Sequence, residues 1–152
     1  MTKQVTEVFN WREISKLRMM KTNKEYIYSF PNASFTLRVV QHLRNKYQLY
    51  LESVVVINLI DRWLVKIRLK NTIPHKLAAN LQAFLMEMGI FSQPSATIMN
   101  ALASLDQGES PITVMNRYQV VIVAHGQPET EEIEIFRDQI VDRLGYCPQN
   151  MT

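Results

Sequence analysis

Residues 57–71, INLIDRWLVKIRLKN, contain a regular alternation of side chains that indicates how this chain folds. From residue 63 to residue 70 two sets of side chains alternate, the first Trp63, Val65, Ile67 and Leu69, the second Leu64, Lys66, Arg68 and Lys70. A period of two is typical of a strand with one face buried. The pair Asp61–Arg62 favours a tight turn. The preceding run, residues 53–60, is almost entirely apolar, as expected of a strand covered on both faces. Together they predict a β-hairpin in the middle of a sheet.

Composition predicts one ordinary globular domain. The chain has 152 residues, 47% of them hydrophobic and 20% charged, and a chain of this length buries about two thirds of its unfolded surface. Its net charge of +3 permits an acidic partner without requiring one. Cys147 is the single cysteine, which excludes an internal disulfide and a Cys-rich metal site and favours a reducing compartment. With no apolar run near the ~20 residues that span a bilayer, we expect a cytoplasmic protein without membrane contact.

Apolar spacing and turn residues predict the other elements. Strands are expected over 25–30 and 118–124, and helices over about 32–48, 72–88, 94–106 and 128–144. Asn32 and Thr72 are the expected N-terminal caps, and Gly89 and Gly145 the expected C-terminal glycines.

Two stretches carry weaker signals. Residues 107–111 have a loop composition, and residues 5–20 fit either a helix or a first strand. In the helix over 94–106, the side chains expected to face inward are Ile98, Met99, Leu102 and Leu105.

This mixture of elements predicts the α+β class. We expect a two-layer domain, with an antiparallel sheet that has helices packed on one face. Residues 1–89 would form this unit, and residues 90–152 a C-terminal helix–strand–helix extension, packed on the same domain.

Candidate catalytic groups are few. His42, His75 and His125 lie on different predicted elements, and no HExxH, HxH or Cys/His cluster occurs, so we expect no metal and no cofactor. His125 is the most suggestive, because it follows a buried strand and precedes a helix. One hypothesis is therefore a small-molecule hydro-lyase that uses His125 with carboxylates of the last helix.

The cationic residues Lys66, Arg68 and Lys70 form a row that we call the cationic rail. Such a row is most often the solvated face of a sheet. Alternatively, the row binds an acidic protein surface together with Asp61 in the turn. Nucleic acid is a further alternative, which the sparse aromatic residues around the row favour less.

Several segments resemble the pterin-4a-carbinolamine dehydratase family over about residues 9–88. They are Trp11, the stretch EYIYSFPNASFTLRVVQHL, the hairpin INLIDRWLVKIRLKN and the helix that contains LAANLQAFL. The resemblance implies a strand, a helix, a hairpin and a last helix in that order.

The same resemblance implies that the enzymatic activity is lost. Dehydratases of this family use a His-His pair before the hairpin and a third histidine at its end, and here Glu52, Ser53 and Lys70 occupy those former active-site positions. None of them replaces an imidazole at neutral pH. Histidine-less relatives act as assembly factors for Rubisco. The resemblance therefore implies a non-catalytic, homo-oligomeric protein that acts through protein–protein interaction.

Overall fold

A five-stranded antiparallel sheet forms the centre of the computed structural model, which describes residues 24–127 and 129–152. The strands are β1 (Lys24–Phe30), β2 (Leu51–Asn58), β3 (Trp63–Leu69), β4 (Ile90–Phe91) and β5 (Val121–Gly126). The α-helices are α1 (Ala33–Lys46), α2 (His75–Met88), α3 (Ala96–Asp106), α4 (Pro111–Tyr118) and α5 (Thr130–Leu144). Two short 3-10 helices cover Gln48–Tyr50 and Gln149–Met151. The ambiguous segment 5–20 lies outside the described residues.

The predicted hairpin is confirmed, and it occupies the middle of the sheet. Its first strand ends at Asn58 rather than at residue 60, so Ile60 belongs to the turn. The strand order is β4-β1-β3-β2-β5, so β3 pairs with both β1 and β2. The backbone N–H of Leu59 donates to the carbonyl of Arg62 at 2.8 Å and closes the turn. Alternation along the hairpin therefore directs successive side chains to opposite faces of a central sheet.

Helices cover both faces of this sheet. On one face α1, α2 and α5 enclose a core whose largest members include Phe30, Trp63 and Leu81. On the other face α3 and α4 cover a smaller apolar cluster that includes Ile57 and Leu64. The α+β class and the antiparallel sheet are as predicted, but the helices form two layers around it rather than one. The physical reason is that the hairpin also places apolar side chains on the second face, namely Val55, Ile57 and Leu64, and these require cover.

Residues 90–152 supply both edge strands of the same sheet, β4 next to β1 and β5 next to β2. The loop predicted over 107–111 is shorter, because Pro111 begins α4 and the Ser110 hydroxyl accepts from the N–H of Thr113 at 3.3 Å. Helix α4 takes up Tyr118, so β5 starts at Val121. A bulge at Val123 interrupts its pairing with β2.

Helix ends follow the predictions in part. The side chain of Asn32 caps α1, and Gly145 ends α5 in the left-handed conformation with φ 74°. Thr72 does not cap α2, which begins after Pro74. Gly89 is extended, at φ −155°, and a Cβ there would lie 2.4 Å from the carbonyl oxygen of Ser29. Close approach to β1, rather than a left-handed turn, therefore requires glycine at this position.

Met99 also departs from the prediction, because it is 45% exposed on α3. Among the described residues, no helix combines the length and the apolar character needed to cross a membrane.

Candidate functional site

The cationic rail is part of an internal ion cluster. Lys66 is only 4% exposed, and its Nζ lies 2.7 Å from Oδ2 of Asp106, at the end of α3, and 3.9 Å from Oε1 of Glu25 on β1. A lysine with so little exposure requires a paired carboxylate. Helix α3 therefore covers and neutralises the position that the sequence suggested as a binding residue.

Arg68 belongs to the same cluster. Its Nε donates to Oε1 of Glu25 at 2.9 Å, and its Nη2 donates to Oδ2 of Asp106 at 2.7 Å. Burial opposes the charge of Arg68, but the bonds and charges of these two carboxylates outweigh it and raise the pKa of the guanidinium. Lys66 and Arg68 do not form an open surface for a partner. Only Lys70 of the rail is exposed.

The former active-site positions lie at the end of the hairpin away from the turn. Glu52 is the extra residue of a bulge, since Leu51 pairs with Leu69 and Ser53 with Arg68. The N–H of Lys70 donates to the carbonyl of Tyr50 at 2.8 Å, which brings this residue to the start of β2. Glu52 and Lys70 are exposed and Ser53 is half-buried. The backbone therefore brings the three positions to one end of the sheet, at its surface.

His125 is separated from the carboxylates of α5. It pairs with Val55, whose side chain faces α3 and α4. The neighbouring Ala124 faces the opposite core together with Ile133 of α5. Since directly paired residues share a face and successive residues alternate, His125 and α5 lie on opposite sides of the sheet. The hypothesis of a catalytic pair between His125 and the last helix therefore does not fit the structure.

The other two histidines have structural positions. The His42 ring stacks on Phe84 of α2, with 3.9 Å between centroids, and burial together with the charge of Lys46 lowers the pKa of His42. His75 is the first residue of α2. In residues 24–127 and 129–152, no group of three or more His, Cys, Asp or Glu side chains is placed to hold a metal ion.

The turn between β2 and β3 forms a different kind of feature, a protruding apolar tip. Ile60 is 99% exposed, and the adjacent Asp61 and Arg62 form an ion pair of 3.1 Å with each other. Turn chemistry explains the aspartate but does not require an isoleucine beside it.

The C-terminal residues hold this turn in place. The amide Nδ2 of Asn150 donates to the carbonyl of Ile60 at 3.0 Å, and the indole Nε1 of Trp63 donates to the carbonyl of Asn150 at 2.7 Å. Trp63 is fully buried, and its ring packs edge-on against Phe136 of α5. The exposed tip is therefore anchored to the core through a short chain of hydrogen bonds.

Two clefts flank the turn, and Asp61 and Arg62 line both of them. The first, about 500 Å³, lies between the turn, residues 92–98 and residues 118–121. The second, about 470 Å³, lies between the turn, residues 29–31 and residues 87–90. We call the turn with its two clefts the hairpin-tip surface.

Exposed apolar side chains continue across the hairpin-tip surface. Ile90, at the rim of the second cleft, is 73% exposed, and Val121, at the rim of the first, is 43% exposed. Single exposed apolar residues are ordinary, but a group of them around clefts is typical of interaction sites. Of the sequence-predicted site residues, only Asp61 lies here. Ile60 was missed, although an isoleucine next to Asp-Arg in a tight turn was a visible signal.

The class defined by these features is a three-layer α+β domain with an anchored, protruding apolar hairpin. No protein-family model matches the chain, and no curated protein matches it significantly. Among solved structures, the chain is similar to the crystal structure of the C-terminal domain of YpbH, with 13% sequence identity and a TM-score of 0.46. That match covers 74% of this chain and 98% of the other.

Proposed function

We propose that this protein is a non-catalytic interaction protein, which binds a protein partner through the hairpin-tip surface. The observation that carries the proposal is the complete exposure of Ile60 on a turn whose backbone is fixed by Asn150. An apolar side chain on a backbone held in place binds at lower entropic cost than one on a free loop, because less of the backbone must be ordered on binding. Burying it against a partner contributes about 1.5–3 kcal/mol.

The partner that we propose to test first is Rubisco, with this chain acting as an assembly factor. The support is the resemblance over residues 9–88, together with an element order of strand, helix, hairpin and helix in residues 24–88 that agrees with it. The proposal moves the contact from the cationic rail, of which only Lys70 is exposed, to the hairpin tip and Asp61. A reducing, cytoplasmic setting and a homo-oligomeric state belong to the same proposal.

The test compares binding of two variants to purified Rubisco by biolayer interferometry. Ile60→Ser removes the tip side chain and should weaken binding by about tenfold or more. Leu49→Ser is the matched control, because Leu49 is also exposed, at 80%, but lies before β2 at the far end of the hairpin. If Ile60→Ser and Leu49→Ser bind Rubisco with the same affinity, the proposed role of the tip is contradicted. No binding of the wild-type chain would reject Rubisco as the partner.

A further inference from the structure

Strand β5 is an edge strand that carries little of the usual protection against pairing. It hydrogen-bonds to β2 on one side only, and within the sheet no described strand covers its other side. Exposed edges are normally blunted by charged side chains, by proline or by bulges. The sequence of β5, VIVAHG, has no Lys, Arg, Asp, Glu or Pro. Of the three protective features, β5 has only a bulge, at Val123. As far as the described residues go, the backbone of β5 is therefore available to another strand.

Helix α5 lies beside this edge and presents one flank to it. Helix α5 packs on α1 and β5. Thr130 and Glu134 line a groove shared with α1, so that flank faces the interior of the layer. At about 100° per residue, positions 132, 139 and 143 form a stripe about 40° wide on the opposite flank. The stripe on the β5 side consists of Glu132, Gln139 and Arg143, and all three residues are exposed.

The two charges of this stripe have no partner within the described chain. Glu132 and Arg143 are eleven residues apart, which is about 16 Å along the helix and too far for a mutual contact. Neither forms an ion pair with another described residue. Partial burial and the nearby charge of Glu129 raise the pKa of Glu132, as expected for a carboxylate that has a like charge beside it and no cation.

We propose that β5 pairs antiparallel with β5 of a second copy of this chain, and that Glu132 of each α5 then faces Arg143 of the other. A two-fold axis makes an interface self-complementary, so that residue i contacts j and j contacts i. With the axis near the middle of α5, the N-terminal half of each helix lies against the C-terminal half of the other. Both unpaired charges are then matched, and the two sheets join into one of ten strands.

Strand and helix spacing permit this arrangement. Paired strands lie about 4.8 Å apart, so the two copies of α5 come side by side on one face of the joined sheet. Gln139, between the two charges in the stripe, then lies close to the axis. This interface shares only Val121, the first residue of β5, with the hairpin-tip surface, and it does not include Ile60. The test on α5 is therefore separate from the test of Ile60.

A charge exchange tests the proposal by sedimentation equilibrium. Glu132→Arg and Arg143→Glu each place two like-charged pairs at the interface, and each should raise the dimer Kd by about tenfold or more. The double variant E132R/R143E restores both pairs with reversed sign and should return the Kd close to that of the wild type. Because the two residues cannot meet within one helix, such a rescue requires a second copy. Glu131→Arg is the matched control, with the same charge change on another side of α5, and should leave the Kd unchanged.

Hydrogen exchange provides a second measurement on the wild-type chain. Amides of β5 that point away from β2 should exchange more slowly as protein concentration rises, since pairing covers them. A monomer at every concentration, a dimer insensitive to both single variants, or a double variant as weak as the singles would each overturn the proposal.

Discussion

The ammonium of Lys66 on β3 lies 2.7 Å from the carboxylate of Asp106, the last residue of α3. This contact joins the central strand to the helical layer that covers the second face of the sheet. It also explains why a charged residue is tolerated where only 4% of its surface is exposed.

The first prediction concerns this ion pair. Asp106→Asn leaves Lys66 buried with only the 3.9 Å contact to Glu25, and should lower the free energy of unfolding by about 2 kcal/mol or more. Lys66→Met removes the buried charge and should cost less than Asp106→Asn. Urea denaturation measures both, with Asp142→Asn on the exposed side of α5 as control. Equal stability of Asp106→Asn and the control would contradict the structural role of the cluster.

The second prediction concerns Gly89. Gly89→Ala places a Cβ 2.4 Å from the carbonyl oxygen of Ser29 and 2.5 Å from a ring carbon of Phe30, so the β1–β4 edge must shift. We expect a loss of about 2–3 kcal/mol in unfolding free energy. Gly108→Ala is the control for backbone strain alone, because φ is 92° there but no atom lies within 4 Å of the new Cβ, and it should cost about 1 kcal/mol. A smaller loss of unfolding free energy in Gly89→Ala than in Gly108→Ala would show that the close approach of β1 does not require glycine at position 89.

The third prediction is a pH dependence caused by His42. Burial, with a contribution from Lys46, lowers the pKa of His42 in the folded protein. The unfolded chain then binds the proton more readily as pH falls below about 6.5, so acidification through this window lowers the free energy of unfolding. His42→Gln should reduce the difference in unfolding free energy between about pH 7.5 and about pH 5.5.

Lys46→Gln should reduce the same difference in part, because it removes the second cause of the shift. NMR titration of the His42 ring checks the sign directly. A midpoint above 6.5 in the wild type would overturn this explanation.

The fourth prediction concerns the anchoring of the hairpin tip. Asn150→Ala removes the hydrogen bond from Nδ2 to the carbonyl of Ile60 but leaves the backbone carbonyl that accepts from Trp63. Hydrogen exchange in the turn should become faster, and global stability should fall by about 1 kcal/mol. Gln149→Ala, one residue earlier, is the control and should leave exchange in the turn unchanged. Faster exchange in both variants would mean that the C-terminal segment acts as a whole rather than through this amide.

Local patterns in the sequence were sufficient to predict the hairpin and several helix ends. Alternation from Trp63 onward identified β3, and Asn32 and Gly145 marked the ends of α1 and α5, because each of these signals is local to its element. The signal for α4 was also present, as Ser110 followed by Pro111, but the loop composition around it concealed it.

The role of the rail could not be predicted in the same way. Whether Lys66 faces water or a carboxylate depends on Asp106, which is forty residues away in the chain. The role of Gly89 depends equally on its distance to β1 in the folded chain. Exposure of Ile60 was predictable in principle, since a tight turn gives a side chain little cover.

Site-specific photocrosslinking at position 60 tests directly whether the hairpin tip contacts a protein partner. A photoreactive amino acid replaces Ile60 in one protein and Leu49 in the control, and both are irradiated in extract of the source cell with purified Rubisco in a parallel sample. We expect one dominant crosslinked protein at position 60 that is absent at position 49. Excess wild-type chain should displace this protein, and excess Ile60→Ser chain should not. Crosslinking of equal yield and identity at both positions, or none at position 60, would contradict it.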